Sequence, residues 1–475
     1  MVNKVRTVFA NMSWLMISQI VASVFSFIWT ILITRYLGPS EYGIYGSAVS
    51  FTGLITFILD FGIAAYIVRS VSTDFDKEEY YLGNAFSLTI FLAALYFFVV
   101  LIFLQVLGWN NYMTIICLLF AFENIIVKFS GIFTISYQVH EEMKYNAIAS
   151  IISTISSFIL ILIVLFGSFK LPGIALAFIL ANFLALCYSA YIGCKYFVKP
   201  KFSFSPSFYK TLLLGGLPFA ITGIFYNVYY SIDIVMITQF VNTYDAGLYN
   251  AAYKLITVLT LFYTIYSSAI YPVMTKLFKD SAELLSISFV KSMKYLLLVT
   301  IPIAVFTCFY SVEIINIYGS EFSGAGTVLN ILIWTVCFLF VNGAASLVLN
   351  ASYEEYSVTK IFGIAALFNI CLNLFLIPHF SLYGAAIATV LSEILIFVLE
   401  MYTLKKINQL PERHFVVDVF KIAFASGILA IALYFLNLNM WLAMPVSIVV
   451  YFAAILLLKT PDDQDKLILK QILNK

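Results

Sequence analysis

Long apolar runs separated by short polar breaks cover almost the whole chain. Fourteen runs are legible, near residues 12–33, 43–67, 83–107, 113–136, 147–167, 172–196, 212–237, 246–272, 289–317, 326–350, 357–378, 383–404, 416–437 and 439–459. Each is close to the roughly 20 apolar residues that a membrane-crossing helix needs. The pattern predicts an all-α polytopic membrane protein with about 14 transmembrane helices, the longer ones tilted or extending out of the bilayer.

The landmarks between these runs come twice, in the same order. Glu41-Tyr42-Gly43-Ile44-Tyr45 is matched by Asp245-Ala246-Gly247-Leu248-Tyr249 at an offset of 204. His140-Glu141-Glu142 is echoed by Tyr353-Glu354-Glu355 at 213, and Leu171-Pro172-Gly173-Ile174-Ala175 by Leu382-Tyr383-Gly384-Ala385-Ala386 at 211. Three matches in order predict an internal duplication. Each copy holds six runs, an even number, so the second starts on the same side of the membrane as the first and the repeats are parallel. The division is 1–204, an N-terminal six-helix lobe; 205–405, a C-terminal six-helix lobe; and 406–475, two extra helices and a tail. Phe197–Tyr209, with Pro200, Pro206, serines and lysines, reads as a cytoplasmic linker. Leu467, Ile468, Leu469, Ile472 and Leu473 suggest a short interfacial helix in the tail.

Composition agrees with the pattern. The 475 residues are 63% hydrophobic and 11% charged, against about 25% charged in a soluble domain. The net charge of +2 says little, but its distribution orients the chain. Of 26 Lys and Arg, Arg35 and Lys170 fall on one side and Lys128 and Lys254 within runs, leaving 22 on or close to the side of the N-terminus. The positive-inside rule then puts both termini in the cytoplasm, in a multi-pass protein of the cytoplasmic membrane. Met1–Ile33 has a basic start and an apolar run, but the run is too long for a signal peptide and is read as an uncleaved first helix. The six cysteines lie in or beside apolar runs without metal-type spacing, as buried small hydrophobes. No polar segment is long enough for a soluble catalytic domain or nucleotide-binding domain, and no P-loop is present. Asp74-Phe75-Asp76 resembles a metal-binding string, but in a short polar turn it reads as solvated loop. The chain is therefore read as a non-enzyme, with no metal, no cofactor and no nucleic-acid partner.

Candidate chemistry sits on the few ionisable groups within runs, because each costs about 2.5–3.5 kcal/mol to insert. They are Asp60, Glu123, Lys128, Asp233, Lys254 and Glu393. Lys128 and Lys254, with Arg35 and Arg69 at run ends, are candidates for binding an anionic substrate. Asp60, Glu123, Asp233 and Glu393 are candidate coupling or pairing carboxylates. Glu123 and Lys128 are five apart, about 140° around a helix, so Lys128 needs a partner elsewhere or an anion in a cavity. Asp233 and Lys254 fall at similar depth on consecutive helices, where a structural ion pair is the competing reading. Glu313 and Glu400 lie close to helix ends and read as snorkelling charges. None of the six aligns with a charge in the other copy: Asp60 falls against Thr264, Lys254 against Ser50 and Glu393 against Asn182. In the repeated motif Gly supplies a tight turn, the acid sits at a helix N-terminus and Tyr at the interface, which is a structural role. Gly215-Gly216-Leu217-Pro218 is either a tolerated kink or a gating hinge, with Gly215, Gly216 and Pro218 the hinge candidates.

Thr34-Arg35-Tyr36-Leu37-Gly38-Pro39-Ser40-Glu41-Tyr42-Gly43-Ile44-Tyr45, then Asp60-Phe61-Gly62 and Leu382-Tyr383-Gly384-Ala385-Ala386, closely resemble the polysaccharide transporter family. This is the Wzx-type O-antigen and repeat-unit flippase group of the multidrug/oligosaccharidyl-lipid/polysaccharide exporter superfamily. The resemblance covers essentially the whole chain and is silent on substrate. It implies a MATE-like pair of bundles around a central cavity, lined by the first, second, seventh and eighth spans with parts of the fourth and tenth. It further implies alternating access, with a lipid pyrophosphate-linked oligosaccharide as substrate and the lipid bilayer as surroundings. A polysaccharide polymerase or glycosyltransferases would be the protein partners, and a coupling ion, H+ or Na+, is left open. Relatives tend to have a cationic cavity, whereas here two lysines face four carboxylates. The rival readings are a cation-coupled multidrug exporter and, from another class, a membrane polysaccharide polymerase or ligase.

Overall fold

The computed structural model describes residues 2–407, 409, 413–462 and 465, which form helices and connecting turns without a strand. Two compact units divide the chain. The first is Met1–Asn250 with Ile370–Leu382. It contains α1 (Val2–Ile55), α2 (Phe57–Asp60), α3 (Ile63–Val71), α4 (Glu78–Leu107), α5 (Asn111–Val139), α6 (Met143–Gly167), α7 (Lys170–Tyr196), α8 (Pro206–Phe240) and the start of α9 (Thr243–Asp280). The second, Ala251–Asn369 with Tyr383–Lys475, holds the rest of α9, α10 (Ala282–Ile315), α11 (Ala325–Ala351), most of α12 (Glu355–Lys406), α13 (Arg413–Leu436) and α14 (Met440–Leu457). This division is one of packing, distinct from the repeat boundaries at 204 and 405.

Among the described residues, 12 helices are long and apolar enough to cross a membrane. Two of them are far longer than a crossing needs: Ala10–Val71 has 62 residues and Glu355–Lys406 has 52. At 1.5 Å per residue the first would reach about 90 Å, roughly three times the bilayer core. Both are broken. Gly38 (φ 70, ψ 173) interrupts α1, and Ser381 (φ 52, ψ −137) interrupts α12. The breaks fall between the first and second and between the eleventh and twelfth apolar runs. Pro39 restarts the helix after Gly38, at the position where its missing N–H costs least. Asn110, Ser281 and Asn439 start α5, α10 and α14 by accepting from the N–H of Met113, Leu284 and Leu442.

In the first unit α1 packs on α5, α6 and α8, while α7 packs on α5 and α6. The duplicated motif meets itself here. A Cβ on Gly43 would collide with the Thr243 carbonyl, and one on Gly247 with the Pro39 carbonyl. Gly46 lies against Asn250. Thr243, Gly247 and Asn250 are Pro39, Gly43 and Gly46 advanced by 204, so the contact is reciprocal. Asp245 lies in the first turn of α9, as a helix-start acid should, and accepts from Ser381 Oγ at 2.5 Å. The motif's tyrosines pack within the protein. Tyr249 is buried and Tyr45 packs on Phe120 and Phe178.

Residues 197–205 are non-helical and, with Tyr209 in the first turn of α8, are fastened to the first turns of α4. Asn84 Nδ2 donates to Ser203 Oγ at 3.2 Å, and Ser87 Oγ donates to the Ser203 carbonyl. Tyr209 Oη donates to Ser87 Oγ at 2.8 Å, and Lys201 pairs with Glu79 at 2.6 Å.

In the second unit α10 packs on α11, α13 and α14. Near its start Lys294, 2% exposed at the side chain, reaches Asp465 at 2.8 Å, Asp418 at 3.1 Å and the Thr460 carbonyl at 2.8 Å. Lys291 pairs with Asp465 and Asp462, and Tyr295 Oη donates to Asp465 at 2.7 Å. Burial pushes the Asp465 carboxyl up, but the bonds from Lys291, Lys294 and Tyr295 outweigh it and hold the group well below the usual range. The predicted interfacial helix at Leu467–Leu473 lies outside the described residues. Cys117 and Cys337 are buried as expected, whereas Cys187 and Cys371 are exposed on the outward faces of their apolar helices.

Candidate substrate cavity

A break in the helix that follows the duplicated motif shapes the site. α2 ends at Asp60, and Phe61 (φ 43, ψ 25) and Gly62 (φ 70, ψ 8) are consecutive left-handed residues before α3 begins. A left-handed phenylalanine is rare, and Gly62 adopts this backbone without strain. Gly62 also has no room for a side chain: a Cβ would strike the Gly216 carbonyl on α8, and one on Gly216 would strike the Phe61 carbonyl. Gly215 in turn lies under the Tyr66 ring. α8 continues through Pro218 as one helix, so in this structure the glycine pair is a close-packing site against the α2–α3 break.

Turning out at the break, Asp60 accepts the Gly62 N–H on Oδ2 at 3.3 Å and pairs through Oδ1 with Lys128 Nζ on α5. Lys128 is 15% exposed at the side chain and Asp60 51%. The pair lies on the wall of a cavity of about 440 Å3. Thr56, Asn124, Thr134 and Asn227 supply further donors and acceptors, and Phe57, Phe61 and Phe219 supply apolar wall. With Asp60 and Lys128 paired, the cavity wall offers hydrogen-bonding groups and ring faces.

Of the eight predicted charges, the structure brings only Asp60 and Lys128 into this cavity. Glu123 does not meet Lys128; it accepts from Asn182 Nδ2 at 2.8 Å, and Asn182 accepts from Ser153 Oγ at 2.7 Å. Asp233 is buried and accepts from Tyr249 Oη and Asn373 Nδ2, each at 2.6 Å. Lys254 is half-buried on the part of α9 in the second unit. Glu393 is buried in that unit and accepts from Asn342 Nδ2 at 2.7 Å. Arg35 and Arg69 are exposed and stand apart from the cavity lining. Glu400 is not a snorkelling charge: it is fully buried and accepts from Ser346 Oγ at 2.6 Å, because α11 covers that face of α12. Thr56, Asn124, Thr134 and Asn227 were not anticipated. Asn124 stands four residues before Lys128 and Thr56 four before Asp60, the one-face spacing that could have revealed these two.

Helices long and apolar enough to cross a membrane, around a cavity with a paired charge, mark a polytopic membrane protein. The fold is shared with the lipid II flippase MurJ in its inward closed conformation, at a TM-score of 0.78 and 15% identity, covering 94% of this chain and 98% of that one. Over residues 8–278 the chain matches the polysaccharide biosynthesis protein family, and it belongs to that family. It is similar to the uncharacterized membrane protein MJ1068 of Methanocaldococcus jannaschii, 24% identical over 382 residues, 79% of this chain and 72% of the relative. It is also similar to the probable low-salt glycan biosynthesis flippase Agl15 of Haloferax volcanii, 25% identical over 387 residues, 80% and 79% of the two chains.

Proposed function

We propose that the protein is a flippase that carries a lipid pyrophosphate-linked oligosaccharide repeat unit across the cytoplasmic membrane by alternating access, for surface polysaccharide or glycoconjugate synthesis. The observation that carries this reading is the Asp60–Lys128 pair on the wall of a polar, phenylalanine-lined cavity in a polysaccharide biosynthesis family protein. A pyrophosphate has the charge to take the Lys128 ammonium from Asp60. Asparagine and threonine side chains suit sugar hydroxyls, and ring faces suit the apolar sides of sugars. The names of Agl15 and MurJ, both flippases, support the same class. Lys254, Arg35 and Arg69 are further cations for the headgroup along its path, and both termini are cytoplasmic. A polymerase or glycosyltransferases would take up and supply the glycan.

The test is deletion of the gene and complementation with variants. Surface glycan is lost on deletion and restored by the wild-type chain. Lys254→Ala abolishes surface glycan with the membrane level of the protein unchanged; normal glycan removes Lys254 from the assignment. Retained glycan in the deletion strain, with raised dye retention instead, would replace the flippase by a drug exporter.

A further inference from the structure

The part of α9 that belongs to the second unit carries one face made of hydroxyls. From 253 to 275 every position within about 50° of Thr264 around the helix is Ser, Thr or Tyr. Tyr253 to Thr275 is about 33 Å in rise, close to the depth of a bilayer core. None of these residues is buried, and α9 is the least covered of the 12 candidate spans. Packing against a neighbouring helix therefore does not explain the alignment. Thr257 Oγ1 donates to the Tyr253 carbonyl at 3.1 Å, Thr260 to that of Thr257 at 2.7 Å and Thr264 to that of Thr260 at 3.1 Å. Ser267, Ser268 and Thr275 donate to the Thr264, Ile265 and Tyr271 carbonyls at 3.0, 2.8 and 3.0 Å. With these six donors spent inside the helix, the capacity they present outward is acceptor oxygen. The opposite face, with Phe262, Ala269 and Val273, is exposed and apolar.

Lipid tails carry no donor for such a row of oxygens, whereas the opposite face suits them. A ligand of the hydroxyl face has to bring its own donors. An ionised carboxylate or sulfate brings none, and its charge is repelled by the lone pairs. A cation would meet oxygens, but Lys254 and Lys276 stand near the two ends and no carboxylate lies between them. A sugar ring brings several O–H donors and no charge. Successive hydroxyl positions are mostly one turn apart, about 5.4 Å, close to the length of one sugar unit in a glycan. We propose that this face of α9 is a hydrated track for sugars, and that the glycan it takes is neutral, the only anion of the cargo being its lipid phosphate. The cargo rests on the flippase reading; the hydration of the face does not.

Hydration is tested with a sulfonate-bearing methanethiosulfonate, a thiol reagent excluded from lipid, on the full-length chain in native membranes. The background carries Cys187→Ser and Cys371→Ser, which removes the two exposed thiols. Thr257→Cys, Thr264→Cys and Tyr271→Cys should react at least about ten-fold faster than Phe262→Cys, Ala269→Cys and Val273→Cys on the opposite face. Equal rates on the two faces overturn the track. The sugar role is read from surface glycan. Thr257→Val, Thr260→Val and Thr264→Val combined keep the shape and remove the oxygens, and should lower glycan at least about ten-fold at wild-type membrane level. Serine at the same three positions should keep it. Where the triple variant falls short of wild-type level, Thr257→Val and Thr264→Val singly should each lower glycan about two-fold. Unchanged glycan in the valine variants removes the sugar role. The glycan lost on gene deletion should contain no uronic acid and no phosphate or sulfate substituent; an acidic sugar in it overturns the neutral class. Failure of the flippase reading itself would appear instead as a deletion strain with normal glycan and the labelling contrast intact.

Discussion

Asp60 in the first unit and Glu400 in the second are both carboxylates within apolar helices, and their surroundings answer the same cost in opposite ways. Asp60 is held at a helix break, half exposed to a cavity and paired with Lys128. Glu400 sits in an unbroken stretch of helix, covered by α11, with one serine as its donor. Hydration decides the difference. A carboxylate that borders a cavity can stay ionised and be partnered by a cation, which leaves that cation open to competition. One that is sealed has only its hydrogen-bond donor in place of the water it has lost. Two units of one chain thus hold one carboxylate on a cavity wall beside a lysine and one against a neighbouring helix.

The largest effect is expected where the second unit buries opposite charges together. Lys294→Ala removes the buried cation shared by Asp418 and Asp465, leaving Asp465 to Lys291 and Tyr295, and should cost about 3–5 kcal/mol, read from thermal unfolding in detergent. The comparison in the first unit is Lys128→Ala. Asp60 is solvated enough to stand alone, so stability should fall by no more than about 1 kcal/mol while surface glycan falls at least ten-fold. Equal destabilisation by the two variants would break the distinction between sealed and cavity-facing charges. The smallest effect concerns pH. The Asp465 carboxyl titrates below its unfolded value of 3.8, so its contribution is complete above that value and is lost only as pH falls through the lower folded one. Thermal stability in detergent should therefore show no step from this cluster between neutral pH and about pH 5. A step in that range tied to Asp465→Asn would contradict the arrangement.

Much of this fold could be read from the chain because lipid imposes a length and a polarity on every crossing. The apolar runs mark the helices, and the two overlong helices break where runs were separated. The duplicated glycine motif could be seen in sequence, but not that its copies touch, since a missing Cβ does not name its neighbour. Site residues were found singly rather than as pairs. Asp60 and Lys128 stood out as costly charges, yet their pairing depends on the turn at Phe61 and Gly62, which the apolar run there conceals. Glu400 was misjudged because distance from a helix end measures depth and not face: α11 covers the side that carries it. Asn182 and Asn342, which satisfy Glu123 and Glu393, are neutral and cost too little to be conspicuous.

The strap at 197–209 has a mechanical consequence. Lys201, Ser203 and Tyr209 fasten it to Glu79, Asn84 and Ser87 on α4, so it has no slack to pay out. The near end of α8 is therefore clamped like one end of a beam. Along the interior of this helix, Pro218 is a position where one backbone hydrogen bond is missing.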